Sequence, residues 1–259
     1  MKKKNILCFI AALISCIAIF CSCGASDENV PDVSEMTASA EAESISDVDL
    51  TKGASSLFEC ADGWCNGSMF NVTWRKENCT FENGRMQLII DKDKKDGSVP
   101  YSGAEYRSKD FYGYGRYEVR MKAIKNDGVV SSFFTYTGPS DSNPWDEIDI
   151  EILGKDTTKV QFNYFTDSKG NHEYLYDLGF DASEDFHDYA FEWHKDKIVW
   201  FVDGKEAYTA AENIPVTPGK IMMNAWCGTG VDGWLNAFDD SHMPLTAEYE
   251  SISFVPFDE

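Results

Sequence analysis

Basic residues are scarce in this 259-residue chain: 23 Lys and Arg stand against 44 Asp and Glu, for a formal net charge of −21. Such a balance repels a phosphate backbone and excludes a nucleic-acid partner. No long stretch of helical period occurs, and no internal repeat or second linker, which argues against a helical bundle or a solenoid. The cysteines outside the N-terminus (Cys60, Cys65, Cys79 and Cys227) show no zinc-ligand spacing with His. Residues 24 to about 50 hold no Lys, Arg or aromatic residue. A segment of that composition cannot bury enough apolar surface to offset its chain entropy, so a disordered acidic spacer is expected over 24–54.

What precedes the spacer is different in kind. Lys2, Lys3 and Lys4 lead an apolar run from Ile6 to Phe20, the layout of a secretory signal over residues 1–23. The run is short for a membrane span. It ends in Phe20-Cys21-Ser22-Cys23-Gly24, where a small residue before Cys resembles a bacterial lipoprotein processing site with Cys23 as the lipid-bearing N-terminus. Phe20 is not the residue usual three positions before such a Cys, and ordinary cleavage nearby is the other reading. Either places the mature chain outside the cell, released or lipid-anchored at the surface. One acyl chain alone would hold it weakly. Disulfides are then permitted, and four thiols allow three full pairings, among which sequence does not choose.

From residue 55 to 259 the chain reads as one folded domain of strands and turns. Arg116 to Lys122 and His187 to Trp193 alternate with period two. Lys197 to Val202 runs into Asp203-Gly204, a strong hairpin signal, and Lys205 to Tyr208 returns. Many short strands with one apolar face predict an all-β sandwich of two packed antiparallel sheets, of jelly-roll type.

One strand carries the chemistry. In Glu147-Ile148-Asp149-Ile150-Glu151, alternation puts the three acids on one face and both isoleucines on the other. A row of like charges weakens a sheet, and such a cost is most often met where the charges do chemistry. Hydrolysis of a glycosidic bond needs two carboxyl groups, one giving a proton and one acting at the opposite face. Cα atoms four residues apart on a strand are about 13 Å apart, and two inclined Glu side chains close enough of that gap for either stereochemical course. Trp64, Phe134, Tyr136, Trp145, Trp226 and Trp234 supply rings on which sugar C–H faces can stack. An acidic strand face, or a carboxylate cation site on a carbohydrate-binding module, is the competing reading.

Longer runs narrow the choice. Tyr112 to Lys122 (YGYGRYEVRMK), Val130 to Pro139 (VSSFFTYTGP), Pro144 to Phe162 (PWDEIDIEILGKDTTKVQF), Asn171-His172-Glu173, Asp177 to Asp181 (DLGFD) and Thr217 to Gly230 (TPGKIMMNAWCGTG) resemble bacterial lichenases. These are endo-β-1,3-1,4-glucanases of glycoside hydrolase family 16. The resemblance spans nearly the whole chain after about residue 57. It implies a concanavalin-like jelly roll with a cleft across its concave sheet, and a retaining double displacement on mixed-linkage β-glucan by a monomer that needs no cofactor for its chemistry. Glu147 falls on the nucleophile, Glu151 on the acid/base, and Asp149 on the residue assisting the nucleophile.

Cleft positions carry over to Asn66, Glu105, Arg107, Phe134, Tyr136, Asn163, Asn224, Trp226 and Trp234. The unbroken E-I-D-I-E spacing looks like lichenases, whereas many laminarinases of the family insert one residue before the last Glu, which would make a bulge. Val72 and Ser102-Gly103 stand where many members carry a disulfide, so that bridge is missing. Trp64 and Phe165 replace frequent tyrosines. The resemblance also leaves room for one structural Ca²⁺ far from the cleft, with Glu250 at the place of an Asp that helps hold it. Transfer of the glycosyl group to a second sugar shares the first chemical step and is a further alternative.

Overall fold

The computed structural model describes residues 45–95 and 97–258. The expected export segment, Cys23 included, and the spacer up to residue 44 lie outside the described residues. Sixteen strands build the described part. The first eight are β1 (Ile45–Asp49), β2 (Phe58–Cys60), β3 (Val72–Trp74), β4 (Cys79–Glu82), β5 (Arg85–Lys92), β6 (Tyr101–Ser108), β7 (Gly115–Lys122) and β8 (Val129–Thr137). They are followed by β9 (Asp146–Leu153), β10 (Lys159–Phe165), β11 (Tyr174–Asp177), β12 (His187–Trp193), β13 (Ile198–Val202), β14 (Lys205–Ala210), β15 (Lys220–Cys227) and β16 (Leu245–Pro256). The one α-helix among the described residues is a single turn, α1 (Asp232–Leu235).

Hydrogen bonding runs in the order β11-β10-β9-β8-β15-β6-β5-β16-β7-β12-β13-β14. The front layer is β11 to β6, with β2 added on β6; the back layer is β5 to β14, with β4 on β5 and β1 on β16. This is the predicted all-β jelly roll. Two details differ from two separate antiparallel sheets. The layers are stitched where Asp91 and Lys92 of β5 pair with Ser102 and Tyr101 of β6. Beside that seam β3 pairs with β6 in parallel. Gly103 is needed at this crowded seam, because a Cβ there would lie 2.7 Å from the carbonyl oxygen of Ala225.

The expected spacer boundary at residue 54 is corrected. Ile45–Asp49 pairs antiparallel with β16, Ile45 opposite Phe254, and Leu50 is fully buried. Average composition over the segment hid Ile45, Val48 and Leu50, which suffice to seat one edge strand. The Asp49 carboxylate then accepts from the Thr51 N–H and caps the short turn that follows.

Between the layers lies one aromatic-rich core. Ile148, Ile150 and Ile152 of β9 are fully buried, with Phe133 of β8, Phe162 of β10 and Trp200 of β13 around them. Burying each such side chain contributes about 1.5–3 kcal/mol. The β13–β14 hairpin turns on Asp203 (φ 48°) and Gly204 (φ 71°), the paired left-handed residues that a two-residue hairpin requires.

Candidate active site

β9 stands third in the strand order given above, and the ladder register sets the side chains of its neighbours on the acids' face in rows. Glu147 is opposite Tyr136 of β8 and Phe165 of β10; Tyr136 is opposite Lys220 of β15. Asp149 is opposite Phe134 and Asn163; the row continues through Met222 to Arg107 of β6 and Glu59 of β2. Glu151 is opposite Ser132 and Gln161; that row continues through Asn224 to Glu105. Neither ladder of β9 shifts register, so no bulge separates Asp149 from Glu151. The three acids therefore form a column crossed by three rows of side chains on the cleft sheet.

The column is built to tolerate its own charge. Trp145 donates its indole N–H to Glu147 and stacks on Phe165 at 4.4 Å between ring centres. Burial raises the Glu147 carboxyl to about 7, against hydrogen bonds from Trp145 and Asp149 that favour its charge. Asp149 is 5% exposed, and burial followed by the neighbouring carboxylates pushes it well above its ordinary value. The Asp149 and Glu147 carboxyls share a hydrogen bond that lowers Glu147 and raises Asp149 further. Behind it, Trp200 donates to the Asp149 carbonyl at 3.1 Å, fixing the strand from the core side.

Glu151 is raised to about 8, first by burial and then by the charges of Glu147 and Glu173, while a hydrogen bond from Gln161 opposes the rise. Gln161 Nε2 donates to Glu151 Oε2 at 2.7 Å, and Trp234 Nε1 of α1 donates to Gln161 Oε1 at 3.1 Å. Gln161 is thus clamped from both sides. At the strand's start, Asp146 is 4% exposed and accepts from the N–H groups of Asp167, Val216 and Thr217 at 2.8–3.0 Å. It ties two loops to the cleft rim.

Farther along, Glu105 is 3% exposed, and burial raises it to about 7 against Arg107 and a hydrogen bond from Asn224. Arg107 lies 3.9 Å from Glu105 and 3.6 Å from Glu59, with its guanidinium 4.7 Å from the Trp64 ring centre. Asn224 Oδ1 accepts from Ser132 Oγ at 2.6 Å. Asn163 Oδ1, on the residue opposite Asp149, is buried without a hydrogen-bond partner. Trp226 is 3% exposed and packs on Phe70 at 4.2 Å and Trp234 at 6.0 Å between centres. Asn66 lies at the rim, its side-chain oxygen taken by Trp74 Nε1 at 2.9 Å.

The register brings Glu105, Arg107, Phe134, Tyr136, Asn163, Asn224 and Trp226 onto the acids' face. Glu250 is elsewhere: it sits on β16 in the back layer, where Arg120 Nε donates to its carboxylate at 3.0 Å. A guanidinium thus engages the Glu250 carboxylate, and no cluster of three acids, His or Cys gathers among the described residues. Gln161, Ser132, Lys220 and Glu173 escaped the sequence reading. Period two in Gln161-Phe162-Asn163 marks Gln161 as sharing a face with Asn163, but only the register sets it beside Glu151.

Known proteins bear on this column. The profile of Glycosyl hydrolases family 16 matches residues 66–246, and the chain belongs to that family. A Beta-glucanase of Acetivibrio thermocellus is 61% identical over 202 residues, 78% of this chain but only 60% of the relative's length. A Beta-glucanase of Paenibacillus polymyxa is 55% identical over 201 residues, 77% of this chain and 83% of the relative. Among solved structures, a prokaryotic beta-1,3-1,4-glucanase (lichenase) from a mouse hindgut metagenome superposes with a TM-score of 0.79 at 57% identity, covering 82% of this chain and 98% of that one.

Proposed function

We propose that the protein is a retaining endo-β-1,3-1,4-glucanase that cuts mixed-linkage β-glucan by double displacement. The observation that carries this reading is the unbroken column of Glu147, Asp149 and Glu151 on the open face of the cleft sheet. Its support from relatives lies in the lichenase-like neighbour and the beta-glucanases named above.

In the first step Glu147, ionised, attacks the anomeric carbon while Glu151, protonated, gives its proton to the leaving glycosidic oxygen. Their values near 7 and 8 put both in the right state around neutral pH. Asp149 spreads the nucleophile's charge through the hydrogen bond the two carboxyls share, and Trp145 holds the same carboxylate from the other side. In the second step Glu151, now anionic, takes a proton from water, and the hydroxide oxygen displaces Glu147 from the sugar. Phe134, Tyr136 and Trp234 offer apolar surface to pyranose faces, with Trp226 packed against Trp234 behind them; Glu105, Arg107, Asn163 and Asn224 offer hydrogen bonds to hydroxyls. Outside the described residues, export and lipid attachment at Cys23 remain part of the proposal, testable by metabolic labelling with a fatty acid.

The test is a product profile on lichenan, laminarin and cellulose in parallel, with the anomer of the first product read by NMR. Cleavage of lichenan with β-configured first products is expected. Cleavage confined to laminarin would overturn the substrate, and inverted products the mechanism. Glu147→Gln is expected to lower kcat on lichenan by about 10³-fold or more; wild-type turnover by that variant would remove Glu147 from its role.

A further inference from the structure

Two thiols that the cleft does not use meet in the interior between the layers. On β2 alternation sends Glu59 outward beside Arg107 and turns Phe58 and Cys60 inward. On β4 it turns Cys79, 8% exposed, and Phe81 inward from the back layer. Tyr106 of the front layer is their common neighbour: it is the cross-strand partner of Cys60, stacks on Phe58 at 5.1 Å and meets Phe81 edge-on at 5.5 Å. Within that frame the Cys79 thiol donates to the Cys60 sulfur. The remaining cysteines are committed differently. Cys65 Sγ donates to the Phe70 carbonyl at 3.4 Å, and Cys227 Sγ reaches the Asn71 carbonyl at 3.8 Å.

We propose that Cys60 and Cys79 form a disulfide site, a covalent tie between the cleft layer and the back layer made when the protein meets a disulfide-class oxidant. Sulfur-to-sulfur contact of two inward-facing side chains from opposite layers is what such a bond requires. Order of reaction follows from the hydrogen bond: it favours the thiolate of Cys60 and, together with burial, keeps the proton on Cys79. The half-buried Cys60 thiolate attacks one sulfur of the oxidant, giving a mixed disulfide and releasing one thiol. Cys79 then loses its proton and attacks the Cys60 sulfur, expelling the second thiol. Two protein thiols are oxidised and one oxidant disulfide is reduced to two thiols.

The loop so closed carries Trp64 and Asn66, the rim residues over Arg107 and Trp74. A bond at its ends restricts the unfolded chain and holds that rim to the back layer. Its contribution is to rigidity at one end of the cleft, and the acids of β9 are untouched by it.

The experiment compares the protein equilibrated with glutathione disulfide and with dithiothreitol, alkylated in denaturant and digested without reduction. Mass spectrometry of the oxidised sample should show the Cys60 and Cys79 peptides joined, about 2 Da lighter than their sum. The oxidised form should melt roughly 5–10 °C above the reduced form. Cys79→Ser should leave Cys60 as a glutathione adduct, abolish the difference in melting temperature and keep lichenan turnover at the reduced wild-type level. Alkylation of both Cys60 and Cys79 after oxidation, or capture of either by Cys65 or Cys227, would overturn the proposal. The wild-type measurement decides the matter even if a variant folds poorly.

Discussion

Glu151 has two neighbours that move its proton affinity in opposite directions. Gln161 donates to the carboxylate and favours its charge; Glu173, an exposed acid next along the β10–β11 side, disfavours it. If Glu151 is the acid, its loss of a proton sets the basic limb of the kcat/KM profile on lichenan. Gln161→Leu should therefore move that limb to higher pH, and Glu173→Gln should move it to lower pH. Equal limbs in both variants would show that the limb belongs to another group. Neither residue was singled out from sequence for this role. An exposed Glu in Asn171-His172-Glu173 and a Gln in a strand carry no local mark of what lies across the ladder.

β9 shows how one element serves core and cleft together. Its isoleucines are sealed against Phe133, Phe162 and Trp200 while the acids between them face the cleft. Packing on one face fixes the register that aligns the carboxyls on the other, because a slip of one residue would exchange the faces. Ile150→Ala should cost about 2–5 kcal/mol in urea unfolding, from lost burial plus the cavity left behind. Turnover per folded molecule should fall far less than in Glu147→Gln, since the ladder still holds the column. A comparable collapse of turnover would mean that the cleft geometry depends on that single side chain.

Across the whole molecule, acids are held in two opposite ways. Surface and rim acids such as Asp181, fixed by Lys125, Thr157 and Ser183, lie well below their ordinary values and stabilise the fold once ionised. Glu105 and Glu147 near 7 and Glu151 near 8 lie above the unfolded value of about 4.5. Between about pH 5 and 8 the folded chain therefore binds more protons at these sites than the unfolded chain, and stability falls as pH rises. A melting temperature highest near pH 5 and declining toward pH 8 is expected, by calorimetry at constant salt. Glu105→Gln should flatten part of that decline. A curve rising through this window would contradict the raised proton affinity of the cleft acids.

Period-two alternation alone determined that Glu147, Asp149 and Glu151 share a face and that the chain is all-β, because the strand repeat is a local property of the backbone. The Asp203-Gly204 hairpin was legible for the same reason: left-handed φ values are written in those residue types. Three matters waited for the tertiary structure. Which strands lie beside β9, and hence that Gln161 touches Glu151, depends on ladders between distant segments. That Ile45 to Leu50 belongs to the fold depends on β16 being there to receive it. That Cys60 meets Cys79, and that Glu250 pairs with Arg120, depends on how two layers stack and pair. Contacts of that kind are set by packing across the chain, and no short window of sequence contains both partners.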